Sequence, residues 1–175
     1  MTLLNNKLEK TIEISAWIVT VLLLIKFVPK NKLREAQVAF LFKQVVTWLF
    51  GLLVVEKNLI SYPTRLFFKK SNKASFTFEY FVYPALCSLF NLYYPEKRNS
   101  VIKLIYYISH SSIITIFEAF AVKYTTLIKY KKWTWYWSFI TMCSTYYLSR
   151  IYYNYFFKEQ ENYQGIPEHL KYSKE

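Results

Sequence analysis

A chain of 175 residues in which 54% are apolar and 21% aromatic has room for one domain and carries more ring surface than an ordinary soluble core uses. Its two glycines, Gly51 and Gly165, exclude glycine-rich phosphate loops and turn-dense sheet folds, and its two isolated cysteines, Cys87 and Cys143, exclude a disulfide scaffold. The net charge of +12 suits nucleic acid or anionic lipid equally, so the placement of charge decides between them.

Five apolar runs, residues 12–28, 36–55, 74–94, 101–122 and 133–157, alternate with basic connections. A helix rises ~1.5 Å per residue and needs about 20 residues to cross a ~30 Å hydrocarbon core. The runs therefore predict an all-α integral membrane bundle of about five transmembrane helices. The first run has a short uncharged part, Ile14 to Ile25, and spans when Glu13 and Lys26 reach outward to the headgroups. No small-x-small cleavage pattern follows it, so it reads as a retained helix and not a removed signal peptide. The second run contains Lys43 and Gln44, the third Glu79, the fourth Lys103, His110 and Glu118, and the fifth Arg150. Residues 158–175 form a polar tail, read as mobile, in which His169 is solvated.

Alternating helices place the amino terminus with Lys7 and Lys10, the loop with Lys57, Arg65, Lys69, Lys70 and Lys73, and the loop with Lys123, Lys129, Lys131 and Lys132 on one side. The opposite side carries fewer basic residues, which makes the first side cytoplasmic. In "LIKYKKWTWYWSF", Leu127 to Phe139, lysines meet headgroups while Trp133, Trp135 and Trp137 seat the next helix at the interface. Arg65, Lys129, Lys131 and Lys132 are interfacial anchors in the same sense. Basic residues interleaved with rings also grip single-stranded nucleic acid, but their position at the ends of apolar runs favours the bilayer. Leu66, Phe67 and Phe68 read equally as an interfacial segment or a solvated connection. An internal echo joins "NLISYP" to "TLIKYK" and "FTF" to "WTW", as if two helical hairpins were repeats of one another.

Motifs for phosphate-loop, zinc, redox-dithiol or serine-hydrolase chemistry are missing from the sequence. No catalytic, cofactor-binding or metal-binding residue is assigned. The candidates are the ionisable groups inside the runs, Glu118, Arg150, Glu79, Lys43 and His110, which serve structural pairing or a substrate or ion path. Glu118 lies level with Trp137 or Ser138, whereas Arg150 lies toward the far end of its helix. His110 and Glu118 occupy neighbouring stripes of one helix, about 80° apart. They are the one acid/base pair open to a membrane-embedded lipid enzyme.

Several strings in order resemble a family of small uncharacterised multi-pass membrane proteins of spore-forming Gram-positive bacteria. They are Tyr62-Pro63 with Arg65, Phe78-Glu79-Tyr80 with Pro84 and Cys87, Glu118 before Thr125, Leu127 to Tyr130, Trp133 to Tyr136 with Ser138-Phe139, and Arg150. Val122 and Trp137 stand where that family often has an acidic residue and a His, and Asn91 lies in a less polar stretch. The resemblance implies a multi-pass protein of a bacterial cytoplasmic membrane and no established activity. The function favoured by sequence is a non-catalytic membrane module that binds lipid or a partner through aromatic faces and basic loops. The alternative is a small permease or ion/proton path through the intramembrane charges. The expected partners are the bilayer with its anionic lipids and a membrane protein or second copy of the chain. Nucleic acid is not among them.

Overall fold

The computed structural model describes residues 2–164 except 69, 71 and 72, with the backbone alone described for 2–6 and 158–164. The fold is mostly helical, as the apolar runs predict. It comprises α1 (Thr2–Phe27), a 3-10 turn (Lys30–Lys32), α2 (Leu33–Glu56), a π-helical segment (Phe76–Val82) continuing into α3 (Tyr83–Leu92), α4 (Ser100–Tyr124) and α5 (Trp135–Gln164). Helix boundaries have local causes. Asn58, at φ 55°, ends α2 in a left-handed turn whose amides return to Val55 and Val54, the geometry Asn tolerates at a helix end. Ser75 caps the π segment, Asn99 caps α4 by accepting from the Ile102 amide, and Pro84 sits in the first turn of α3.

Between the helices lies a two-stranded antiparallel ribbon that no apolar run announces, β1 (Ile60–Ser61) with β2 (Lys129–Tyr130), in register Ile60 to Tyr130. Its strands belong to the two echoing strings. The ribbon closes the end of the bundle where α2 and α4 stop and α5 begins. Leu59 O accepts the amides of Lys131 and Lys132. Val54, Ile60, Leu127 and Ile128 pack together beneath it.

Polarity is distributed opposite to that of a water-soluble bundle. Lys43, Ser88, Ser111 and Ser149 are fully buried and Glu9, Glu13, Glu79 and Glu118 nearly so, although Lys and Glu are almost never buried in water-soluble proteins unless paired. Ile25 is 74% exposed, Phe117 70%, Ile116 67% and Leu22 60%. Exposed apolar side chains of this kind recur along α1, α2, α4 and α5, and large exposed apolar surface marks a membrane or partner contact. Lys30–Glu56 and Ser100–Tyr124 are each long and apolar enough to cross a membrane.

Three expectations need correction. The 74–94 run is not one α-helix but a π segment and a ten-residue helix, 17 residues and about 25 Å at most. Glu13 does not reach outward to headgroups, since it is 3% exposed and accepts from the Leu66 amide at 2.9 Å and Thr77 Oγ1 at 3.0 Å. A buried carboxylate requires such donors, and the loop and π segment supply them. The polar tail does not begin at residue 158, because α5 runs on to Gln164. The remainder of the tail, with His169, lies outside the described residues, as does Lys69.

Candidate functional site

Glu79 and Glu118 come from different helices and line one cavity of about 70 Å³. Glu79 enters from the π segment, a local widening of the helix that recurs at functional sites. Its carboxylate fills the gap left by Gly51 on α2, where a Cβ would overlap it. Thr47 Oγ1 donates to Glu79 O at 2.6 Å, and Gln44 Nε2 donates to Tyr80 O at 2.9 Å. These two bonds hold the irregular segment against α2. Glu79 Oε2 is buried without a hydrogen-bond partner among the described residues. Glu118, from α4, accepts at Oε1 from Tyr130 and from Ser138, each at 2.9 Å. Trp133 Nε1 donates to the same Ser138 hydroxyl at 2.8 Å.

The two carboxylates have matching partners on the ribbon. Tyr130 of β2 bonds Glu118, and Tyr62, directly after β1, lies within hydrogen-bonding reach of Glu79. These tyrosines occupy the same place in the strings "LISY" and "LIKY", so the echo extends to the carboxylate contacts. Burial, followed by the neighbouring carboxylate charge, pushes both phenols above the ordinary tyrosine range. Both therefore remain proton donors at neutral pH.

Thr145 of α5 also lines the cavity, and it accepts from Lys43 Nζ. Lys43 is fully buried, forms no ion pair among the described residues, and lies 4.8 Å from the centroid of the Tyr146 ring. Beyond it, Cys87 Sγ donates to Ser149 Oγ at 3.0 Å, and Asn91 Nδ2 donates to the same oxygen at 2.9 Å. Arg150 Nη1 then donates to Asn91 O at 3.3 Å, and Nη2 pairs with Glu96 at the opposite end of the bundle. Polar groups thus form a file from the ribbon end to the far end, interrupted by the Tyr146 ring and Cys87.

Compared with family models, curated proteins and solved structures, the chain matches none. The geometry therefore carries the functional reading alone.

The site residues named from sequence divide into groups. Glu118, Glu79 and Lys43 converge on the cavity and its first wall, although they lie on three helices and at no obvious common level. Glu118 meets Ser138, the neighbour its depth predicts. Arg150 closes the far end of the file. His110 belongs elsewhere: its Nδ1 lies 2.8 Å from Tyr106 O, with its ring against Phe90 and Tyr106. It does not stand beside Glu118 as an acid/base partner, because that carboxylate is engaged by Tyr130 and Ser138. Trp133 lines the cavity, whereas Trp135 and Trp137 are 61% and 47% exposed. Arg65 Nη1 donates to Tyr62 O and so braces its own loop. Lys131 Nζ donates to Asn58 Oδ1, while Lys129 and Lys132 are exposed.

Sequence reasoning passed over Glu9, which is 1% exposed and accepts from the Thr126 amide at 2.8 Å. Its charged neighbours Lys7 and Lys10 give no sign of that burial. It also passed over Gly51, Thr47, Tyr62, Tyr130 and Thr145. The scarcity of glycine was the available signal for Gly51.

Proposed function

We propose that this chain is a multi-pass membrane protein whose polar file conducts protons or a small cation between the two faces of a bilayer. The observation that carries the reading is Thr145, which lines the cavity of Glu79 and Glu118 and also takes the Lys43 hydrogen bond. One side chain thereby joins an acidic chamber to a buried ammonium. Burying these charges in a bilayer is costly and marks functional positions. A short discontinuous helix at mid-protein is also where transporter folds place their sites, and the π segment with α3 is such an element.

The outward apolar faces support five crossings by α1, α2, the π–α3 unit, α4 and α5. The short central unit is shielded by its neighbours. The basic loops at the ribbon end support a cytoplasmic amino terminus. A cell-membrane location follows from this reading. Lipid binding as the main role is less favoured, because a bilayer alone accounts for the exposed rings, whereas a converging buried charge set has no use in a passive module.

Reconstituted in vesicles with an imposed pH gradient and a clamped membrane potential, the protein should accelerate collapse of the gradient. Glu118→Gln and Lys43→Met should abolish that acceleration while leaving circular dichroism unchanged. Vesicles that hold the gradient as long as protein-free ones, with all common alkali cations tested, would remove the path reading.

A further inference from the structure

The cavity between Glu79 and Glu118 has a character that narrows its ligand. We propose that it binds a small ammonium cation, either ammonium itself or a short primary alkylammonium. The N–H groups would donate to the Glu79 and Glu118 carboxylates, and the rest of the cation would lie against the Trp133 and Tyr83 rings. The proposal rests on the cation-path reading above and names the cation.

Charge comes first. Two carboxylates reach the same space, each within electrostatic range of the other, and no Lys or Arg lines it. A buried acidic pair is relieved by a bound positive charge. Glu79 is 5% exposed and its Oε2, seated against Gly51, lacks a hydrogen-bond partner among the described residues; an ammonium drawn to this carboxylate supplies N–H donors, which a metal ion does not.

Size and wall come next. A cavity of ~150 Å³ holds benzene, so about 70 Å³ takes roughly half as many non-hydrogen atoms. Phe50, Val54, Ile60, Met142 and Trp133 give the cavity an apolar side, which suits an alkyl group better than the water shell that hard metal ions keep. Among the described residues no group of three or more His, Cys, Asp or Glu is placed to hold a metal. Aromatic rings attract ammonium groups through their π faces. The protein already holds one ammonium this way next door, where Lys43 Nζ meets the Thr145 oxygen and the Tyr146 ring.

The test is a calorimetric titration of the full-length protein in detergent with the chlorides of ammonium, methylammonium, sodium and tetramethylammonium at constant ionic strength. Ammonium and methylammonium should bind saturably. Sodium should bind at least about tenfold more weakly, and tetramethylammonium, which has no N–H and is too large, should not bind. Glu118→Gln should weaken methylammonium binding by about tenfold or more. Equal responses to all four salts, or none to any, overturn the assignment, and this series needs no variant to fold. Absent methylammonium binding with gradient collapse intact removes the ligand class and leaves the path. Saturable binding with no transport under any gradient removes the path and leaves the site.

Discussion

The Glu79 carboxylate occupies the volume that a Cβ on Gly51 would require, so a glycine on α2 and an acid on the π segment form one fitted pair. A methyl group at position 51 must drive the carboxylate from its slot toward the cavity. Alanine normally gains about 1 kcal/mol over glycine inside a helix, while overpacking costs about 1–3 kcal/mol. Gly51→Ala should therefore destabilise the protein modestly and abolish methylammonium binding. In a Glu79→Ala background the same substitution should become stabilising by about 1 kcal/mol. Thermal unfolding of the four proteins of this cycle in detergent measures the change of sign, and equal effects in both backgrounds would refute the fitted pair.

Glu13 ties α1 to the 57–75 loop through the Leu66 amide and to the π segment through the Thr77 hydroxyl. Trp17 reinforces the contact by stacking on Phe81 at 4.0 Å. Hydrogen bonds to a charged acceptor contribute about 1.5–3 kcal/mol. Glu13→Ala should loosen this loop and the π segment with it. Limited trypsin digestion should show faster cleavage at Lys57, Lys70 and Lys73 than in the wild type, with cleavage at Lys97 and Arg98 unchanged. Equal acceleration at both ends would mean global destabilisation.

The helices were legible because an apolar run bounded by lysines has few other ways to satisfy its backbone. The level of Glu118 with Ser138 was legible for the same reason, since depth along a helix follows from counting residues. What remained hidden depends on rotation and irregularity. Glu79 reaches the cavity only because the backbone widens into a π turn, and no residue pattern from Phe76 to Val82 marks that widening. Lys43 looked isolated because its partner is a neutral threonine 102 positions away, and charge-pair reasoning searches for acids. The ribbon was present as an echo between "LISY" and "LIKY", but two-residue strands bury too little for any alternation to show. Glu13 reads as an end-of-helix charge, and Glu9 draws no attention, because sequence does not show that loops fold back over α1.

Arg150 engages four partners at once. It donates to Asn91 O at 3.3 Å, pairs with Glu96, and lies 4.3 Å from the Tyr94 ring and 5.0 Å from the Tyr153 ring. A planar fork reaches both oxygens while stacking on rings, and a lysine ammonium does not reproduce that arrangement. With Glu96 half exposed, the ion pair itself contributes little, so the loss comes mainly from packing and the carbonyl bond. Arg150→Lys should lower stability by about 1–2 kcal/mol, and Glu96→Gln by less than half of that. Chemical unfolding monitored by tryptophan fluorescence distinguishes them; the reverse ranking would show that the surface ion pair dominates.

Tyr130 gives the site an alkaline limit. Burial, and then the Glu118 charge, hold its phenol above the ordinary range in the folded protein. The unfolded chain releases the same proton near pH 10. A raised folded value means that the stabilisation is complete below about pH 10 and declines as pH rises through the interval up to the folded value. Tyr130→Phe removes this contribution along with the Glu118 and Ser138 hydrogen bonds. The variant should be less stable than the wild type at pH 8, and the difference should narrow between pH 10 and 12 as the wild type alone loses the stabilisation. Paired unfolding curves at pH 8, 10, 11 and 12 measure it. A gap that stays constant across that range would show that the Tyr130 hydroxyl is not held protonated against Glu118.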